Sequence, residues 1–208
     1  MQPMGIYHKH VLPRVTHFLC GLKPAMKQRE IVVPLATGRV LEIGIGTGLN
    51  LPFYSPDKVE HLWGLDPSSE MWKLTEAKRA TIDFDMEFIK ASASDIPLEN
   101  NSADTVLITY TLCSIPDVAL ALEEIRRVLK HDGQLVFCEH GAAPDHSVRR
   151  RQDRLNPLWT RLGGGCNLNR EIPALLEQGG FRIHQLDTMY IPGWKPACFN
   201  YRGTARTY

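Results

Sequence analysis

The run Arg39-Val40-Leu41-Glu42-Ile43 leads straight into Gly44-Ile45-Gly46-Thr47-Gly48, and no other segment limits the fold as much. Val40, Leu41 and Ile43 lack the strict alternation of a half-exposed strand, which points to a strand buried on both faces of a parallel sheet. The glycines that follow let the backbone turn sharply and approach a ligand where a Cβ would collide. A helix after such a turn offers its first N–H groups to the bound group. The spacing narrows the reading further. A dinucleotide fingerprint sets its third glycine three positions after the second, and position 49 is Leu. Here the glycines stand two apart throughout, at 44, 46 and 48.

The same alternation of strand and helix continues downstream. His61–Asp66, Met86–Ile89, Thr105–Thr109 and Gln134–Glu139 are predicted strands. Ser68-Ser69-Glu70-Met71 opens a helix, with Ser before an acidic first turn as the cap signal. Ala119–Lys130 is an amphipathic helix with Leu122, Ile125 and Leu129 on one face, closed by Asp132-Gly133. Strands alternating with helices predict an α/β, Rossmann-like, doubly wound and mostly parallel sheet with right-handed crossovers.

Beyond residue 140 the pattern changes. Arg149–Leu162 is helical but interrupted by Pro157, Gly163-Gly164-Gly165 is a loop, and Glu171–Gln178 is a short helix. Phe181–Leu186 and Phe199–Thr207 then form an antiparallel pair at the sheet edge. Residues 1–35 are helical pieces broken by Pro13, Pro24 and Pro34. The expected organisation is a single domain over 1–208. It has a helical N-terminal cover (1–37), a cofactor-binding core (38–140) and a substrate-side and edge-strand region (141–208).

Composition removes several classes. At 208 residues and 43% apolar, the chain can bury a sizeable core without a disulfide or metal. No run of 18 apolar residues spans a membrane, and Met1-Gln2-Pro3-Met4 leads into His and Lys rather than a secretory h-region. Cys20, Cys113, Cys138, Cys166 and Cys198 never approach CxxC spacing, so reduced thiols in a cytoplasm are expected rather than a disulfide frame or zinc site. No Asp/Glu/His cluster has metal-ligand spacing, so no metal is expected. Charge is partitioned: residues 1–38 carry +4, residues 39–140 carry −8 and residues 141–208 carry +5. The basic flanks lack aromatic interleaving or helix-turn-helix spacing, which argues against nucleic acid. They leave peripheral contact with an anionic membrane open, at about 1 kcal/mol per well-placed cation. Nothing in the pattern indicates an oligomeric state.

Asp66 lies 24 residues beyond Glu42, at the predicted end of the second strand, where a carboxylate can accept both hydroxyls of a ribose. A capping Asp before Pro67 is the competing reading, and the neighbouring glycine loop favours the ribose. VLEIGIGTG, Asp66 and the later Ser94-Asp95-Ile96 together resemble the class I S-adenosylmethionine-dependent methyltransferases over roughly residues 38–140. The resemblance implies S-adenosylmethionine as cofactor, leaving as S-adenosylhomocysteine. Gly44, Gly46 and Gly48 would hold its methionine end with Glu42 beneath, Asp66 its ribose, and Ser94, Asp95 and Ile96 would frame its adenine. Asn50, Pro67, Met71, Thr109 and Leu112 complete the implied cofactor contacts. Many members of that class carry an acid after the third strand; Ala91-Ser92-Ala93 stands there in this chain.

Three further strings narrow the resemblance. They are Gly46-Thr47-Gly48-Leu49-Asn50-Leu51-Pro52-Phe53-Tyr54, then Thr111-Leu112-Cys113-Ser114-Ile115, then Glu139-His140-Gly141 with Gly165-Cys166-Asn167-Leu168-Asn169-Arg170-Glu171. Together they are similar to the methyltransferase-like thiol S-methyltransferases of animal membranes and their soluble bacterial relatives. Animal members carry an apolar N-terminal membrane segment, whereas this chain has Tyr7-His8-Lys9-His10 there.

The implied reaction is methyl transfer to a small-molecule thiol. A sulfonium donor is already activated, so the protein must chiefly align the nucleophile and exclude water. A thiol with pKa near ~8.5 is partly ionised at neutral pH and needs only a modest base. His140, following the fifth strand, is the candidate base, with a histidine merely bonded to its own loop as the alternative. Tyr7, Tyr110, Cys113, Trp159, Asn167 and Arg170 are candidate acceptor contacts, each of which has packing or capping as its competing role. Two rival functions remain: an N- or O-methyltransferase for a phospholipid amine or other small molecule, and a cofactor-binding regulator without turnover.

Overall fold

The computed structural model describes residues 11–68, 70, 71, 75, 79 and 82–208. Strands β1 (Gly38–Ile43), β2 (Val59–Leu65), β3 (Asp85–Ile89), β4 (Ala103–Thr109), β5 (Leu129–His140), β6 (Phe181–Tyr190) and β7 (Phe199–Thr207) form one sheet. Their order is β3-β2-β1-β4-β5-β7-β6. All pairings among β1 to β5 are parallel, and β7 runs antiparallel to both β5 and β6. This is the expected α/β sheet with its antiparallel edge.

Within β1 the last four residues are buried, and alternate side chains serve opposite faces. Leu41 and Ile43 join Leu122, Ile125 and Val128 on one face, while Val40 joins Val32, Val33 and Val136 on the other. Each such side chain, removed from water, contributes roughly 1.5–3 kcal/mol. Helix α3 (Val118–Val128) supplies Ala121, Leu122, Ile125 and Val128 to this core from one helical face. Its start is capped by Asp117, whose carboxylate accepts from the Leu120 N–H at 3.0 Å.

Several boundaries differ from the sequence expectation for local physical reasons. Pro13 and Pro24 do not break helices but begin them, in α1 (Leu12–Cys20) and α2 (Lys23–Val32), where a missing N–H costs nothing. Pro34 lies in a 3₁₀ turn over Val33–Leu35. Pro157 lies inside a continuous helix α4 (His146–Leu162). It gives up one ladder bond there, and the turn around it is tied by Thr160 Oγ1 donating to the Asn156 carbonyl at 2.8 Å. α3 ends at Val128 and passes directly into β5, because the N–H groups of Asn101 and Ser102 take the carbonyls of Arg127 and Val128. Asp132 and Gly133 therefore sit in a bulged stretch of β5 rather than closing the helix. Helix α5 (Ile172–Gln178) starts one residue later than expected.

Strand β1 has β2 on one side and β4 on the other, so successive connections leave it in opposite directions. Open α/β sheets bind ligands beyond the carboxyl ends of the strands at such a switch point. No described helix is long and apolar enough to cross a membrane.

Candidate active site

A cavity of about 340 Å³ opens at that switch point. One wall comes from the β1 turn and the end of β2, through Gly44, Gly46, Thr47, Asp66, Pro67 and Met71. The opposite wall comes from α1 and α2, through Leu12, Thr16, His17, Cys20 and Arg29. Between them lie Thr109, Tyr110, Thr111 and Ser114 at the end of β4, with Gly163 and Gly164 after α4.

The glycine turn has a left-handed backbone at Gly44 (φ 70°) and Gly46 (φ 55°). A Cβ on Gly44 would sit 2.4 Å from the Thr111 side chain, so this glycine permits close packing of the β1 and β4 ends. A Cβ on Gly46 would meet nothing nearer than Met71 Cε at 3.5 Å, so the space above it is open to a ligand. Asp66 orders this turn: Oδ2 accepts from the Gly46 N–H at 3.0 Å and Oδ1 from the Ser68 N–H at 2.8 Å. Burial raises its pKa against these two backbone donors. Each carboxylate oxygen keeps a further lone pair for a ligand, and Asp66 lines the cavity.

Beneath the turn lies a buried polar network. Glu42 Oε1 accepts from Asn50 Nδ2 at 2.9 Å and Oε2 from the Tyr54 hydroxyl at 2.6 Å. Burial pushes Glu42 up to about 7, against Tyr54, the Arg29 charge and Asn50. Arg29 is 4% exposed and donates from one terminal nitrogen to Asn50 Oδ1 at 2.7 Å and Thr109 Oγ1 at 2.5 Å. Its guanidinium lies 5.0 Å from the centre of the Tyr110 ring, and its Nε has no hydrogen-bond partner. A buried cation on the cavity wall with an idle N–H is suited to a carboxylate, which is the group at the methionine end of the expected cofactor. The residues present therefore fit that cofactor at the open glycine, at Asp66 and at Arg29.

A second polar system joins three loops behind the opposite side. Glu139 is fully buried and accepts from the N–H groups of Thr111 at 2.7 Å, Leu112 at 2.9 Å and Cys113 at 3.4 Å. Burial raises its pKa, opposed by those amides and by His140. His140 Nε2 pairs with Cys166 Sγ at 3.2 Å, and its Nδ1 is buried without a partner. Burial disfavours the charged ring, but Cys166 and Glu139 outweigh it and the His140 pKa is raised. Trp159 Nε1 donates to Cys166 Sγ at 3.3 Å.

The structure thus sorts the residues singled out in the sequence. Gly44, Gly46, Asp66, Pro67, Met71, Thr109 and Tyr110 line the cavity. Glu42 and Asn50 stand one layer beneath it, and Gly48 packs against Leu51 and Thr75. Ser92 and Ala93, not Ser94, Asp95 and Ile96, form the cavity wall after β3. Ile96 is turned inward, its N–H bonded to Glu124, and Asp95 is exposed. Leu112, Cys113, His140 and Trp159 are not among the residues that line the cavity, although Ser114, Gly163 and Gly164 beside them are. Asn167 donates to the Cys113 and Gly165 carbonyls, and Arg170 clasps the Leu112 and Ile115 carbonyls, so both tie the loop after β4. Asn169 pairs with Asp153 rather than capping α5. Tyr7 lies outside the described residues. Arg29, His17 and Cys20 were not singled out by sequence reasoning. Only the predicted placement of the first 37 residues over the sheet mouth pointed in their direction.

A methyltransferase domain family matches residues 41–137. The chain is 35% identical over 186 residues to human thiol S-methyltransferase TMT1B, covering 84% of this chain and 75% of that protein. The chain belongs to the S-adenosylmethionine-dependent methyltransferases. Human thiol S-methyltransferase TMT1A is 31% identical, covering 79% of this methyltransferase and 68% of its own length. Among solved structures, a SAM-dependent methyltransferase from Methanosarcina mazei superposes with a TM-score of 0.67 at 20% identity, over 81% of this chain and 92% of its own. S-adenosylmethionine is the cofactor.

Proposed function

We propose that this methyltransferase transfers a methyl group to a small-molecule thiol. The observation that carries the reading is the chemistry of the wall facing the glycine turn. Among the described residues it holds one buried cation, Arg29, and one imidazole, His17, while the acid lining the cavity is Asp66, on the turn side and already bonded to two amides. A hydroxyl or protonated amine has to lose its proton to a strong base before attack, whereas a thiol is partly ionised at neutral pH and needs only a modest base such as an imidazole. The names of the relatives at 35 and 31% identity support the same acceptor class.

The bound cofactor supplies an electrophilic methyl group on a sulfonium. The glycines at 44, 46 and 48 shape the turn against it, and Asp66 takes the ribose hydroxyls. Arg29, backed by Glu42, Asn50 and Thr109, takes the methionine carboxylate. Pro67, Met71, Ser92 and Ala93 flank the adenine, with Ser94, Asp95, Ile96 and Leu112 supporting them. α1 closes over the acceptor through Leu12, Thr16 and Cys20 and excludes water. His17, whose Nδ1 pairs with Thr47 Oγ1 at 2.6 Å, is the imidazole on that wall and carries the acceptor proton. His140, outside the cavity lining, is a positioning group rather than the base.

Labelled cofactor incubated with a panel of simple alkyl and aryl thiols tests the reading directly. Methyl thioether products, with turnover lowered at least about tenfold in His17→Ala by loss of a general base, are expected. Label in phosphatidylethanolamine vesicles and in no thiol would replace the thiol by a lipid amine.

A further inference from the structure

The thiols of Cys113 and Cys166 and the imidazole of His140 come from three separate segments, the loop after β4, the loop after α4 and the last residue of β5. One donor atom from each lies within 4.8 Å of the others. We propose that these three side chains bind a zinc ion and leave its fourth position to the acceptor thiol. The geometry is close to that required. Zinc with bonds of about 2.3 Å to sulfur and about 2.0 Å to nitrogen holds those atoms about 3.5 Å apart, and His140 Nε2 is 3.2 Å from Cys166 Sγ.

The surroundings are built to hold the donors in place. Cys113 is fixed from both sides of its peptide: Glu139 accepts its N–H, and Asn167 donates to its carbonyl from the backbone at 2.9 Å and from Nδ2 at 3.1 Å. The bond from Asn167, the neighbour of Cys166, locks the two cysteine loops together. Arg170 fastens the same loop at Leu112 and Ile115 and adds a positive charge beside the sulfurs. Trp159 Nε1–H points at Cys166 Sγ, the kind of outer contact that orients a metal-bound thiolate. Among the described residues Cys166 is the one hydrogen-bond partner of the His140 ring, and Nδ1 has none. Exchange of the Cys166–His140 contact for two bonds to zinc therefore breaks no other hydrogen bond of the ring. Two thiolates also neutralise the ion, which a buried site needs.

Three protein ligands with an open fourth position is the arrangement of a zinc site that takes part in chemistry. The cleft is adjacent: Ser114 follows Cys113 in the chain and lines it, as do Gly163 and Gly164, and the Cys166 N–H bonds the Gly163 carbonyl. An acceptor thiol entering the fourth position loses its proton to solvent and keeps both electrons on sulfur. That pair forms the new bond to the methyl carbon as the old carbon–sulfur bond breaks, its electrons staying on the donor sulfur. The product is a neutral thioether, a weaker ligand than a thiolate, and it leaves. This use of the metal rests on the thiol reading above; the metal site itself rests on the cluster.

The full chain, stripped with a chelator and kept reduced with a phosphine, is titrated with Co²⁺ and, separately, loaded with Zn²⁺ and analysed for metal content. One equivalent is expected, with sulfur-to-cobalt charge-transfer bands and the strong visible bands of tetrahedral cobalt. Cys113→Ser and Cys166→Ser should weaken binding by more than about 100-fold, and Trp159→Phe by roughly 10–100-fold, as for an outer contact. Cys198→Ser, in the segment before β7, should bind as the parent does. Melting curves confirm that each variant folds. Failure of the folded parent to take up one equivalent, or parent-like binding by Cys166→Ser, overturns the site. Simple thiols should shift the visible bands. Cobalt bound as expected, but with no shift and no thiol methylated, supports the site and overturns the thiol assignment. Thiol methylation by a chain that takes up no metal does the reverse.

Discussion

Asp66→Ala separates the cofactor map from general stability. The carboxylate accepts two backbone N–H groups, Gly46 at 3.0 Å and Ser68 at 2.8 Å, and is 8% exposed. Hydrogen bonds to a charged group contribute about 1.5–3 kcal/mol each. In the empty protein part of that is offset, because burial already disfavours the Asp66 charge and alanine removes the penalty. The net loss is about 2 kcal/mol, or a fall in melting temperature of roughly 4–8 °C for a chain of this size. Cofactor binding loses more. The two proposed bonds to the ribose hydroxyls would disappear and the turn would no longer be held by its two anchors, which together would remove about 3–6 kcal/mol. That corresponds to a rise in Kd of roughly 10²–10⁴-fold. Asp66→Asn should fall between, since its amide nitrogen must face one of two N–H donors. Calorimetry with S-adenosylhomocysteine gives Kd, and melting with and without that ligand gives the stability part. A folded Asp66→Ala protein with Kd within about threefold of the parent would refute the assignment, whatever its melting temperature.

Glu42 predicts a pH dependence with a definite sign. Its pKa is about 7 in the folded protein against 4.5 as the reference value, so the native state holds a proton that the unfolded chain has released across that window. Stability should therefore decline by about 3 kcal/mol as pH rises from 4.5 to 7, and urea melts of Glu42→Gln should lack that decline. An equal slope in both proteins would show that another group is responsible. The glycine turn predicts a split between folding and binding. Gly44→Ala forces a Cβ to within 2.4 Å of Thr111 and should destabilise the empty protein. Gly46→Ala meets only Met71 Cε at 3.5 Å and carries about 1–2 kcal/mol of left-handed backbone strain at φ 55°, so it should melt above Gly44→Ala, roughly 2–8 °C below the parent, yet lose the cofactor, a contrast that melting and calorimetry together detect.

What the sequence disclosed and what it hid follow from how far each feature reaches along the chain. β1, the glycine turn and Asp66 are local: an apolar strand, residues that tolerate positive φ and a strand-end acid each act within a few positions, so they are legible one segment at a time. Pro13, Pro24 and Pro34 were legible as punctuation but not as to sign, because a proline that ends one helix can begin the next, and only the packing of Val32 and Val33 against the sheet decides. The side chains brought to the cavity from outside the glycine turn are non-local throughout. Arg29 reaches Thr109, 80 positions away, and Cys113 and His140 meet because the order β4-β5 sets the ends of those strands side by side, while Cys166 is brought to them from the loop after α4 by the Asn167 bonds to the Cys113 carbonyl. Spacing rules find metal or base clusters when ligands share a helix or a turn, and here they are divided among three segments. Arg170 shows the same limit from the other direction. Its charge next to a loop suggested a substrate contact, but two carbonyls freed by the turn after β4 required donors, and a guanidinium with five N–H groups meets that need from 55 residues away. A buried backbone turn without its own partners thus recruits the nearest strong donor first, and a charge near a site is available to a ligand only once those internal acceptors are satisfied.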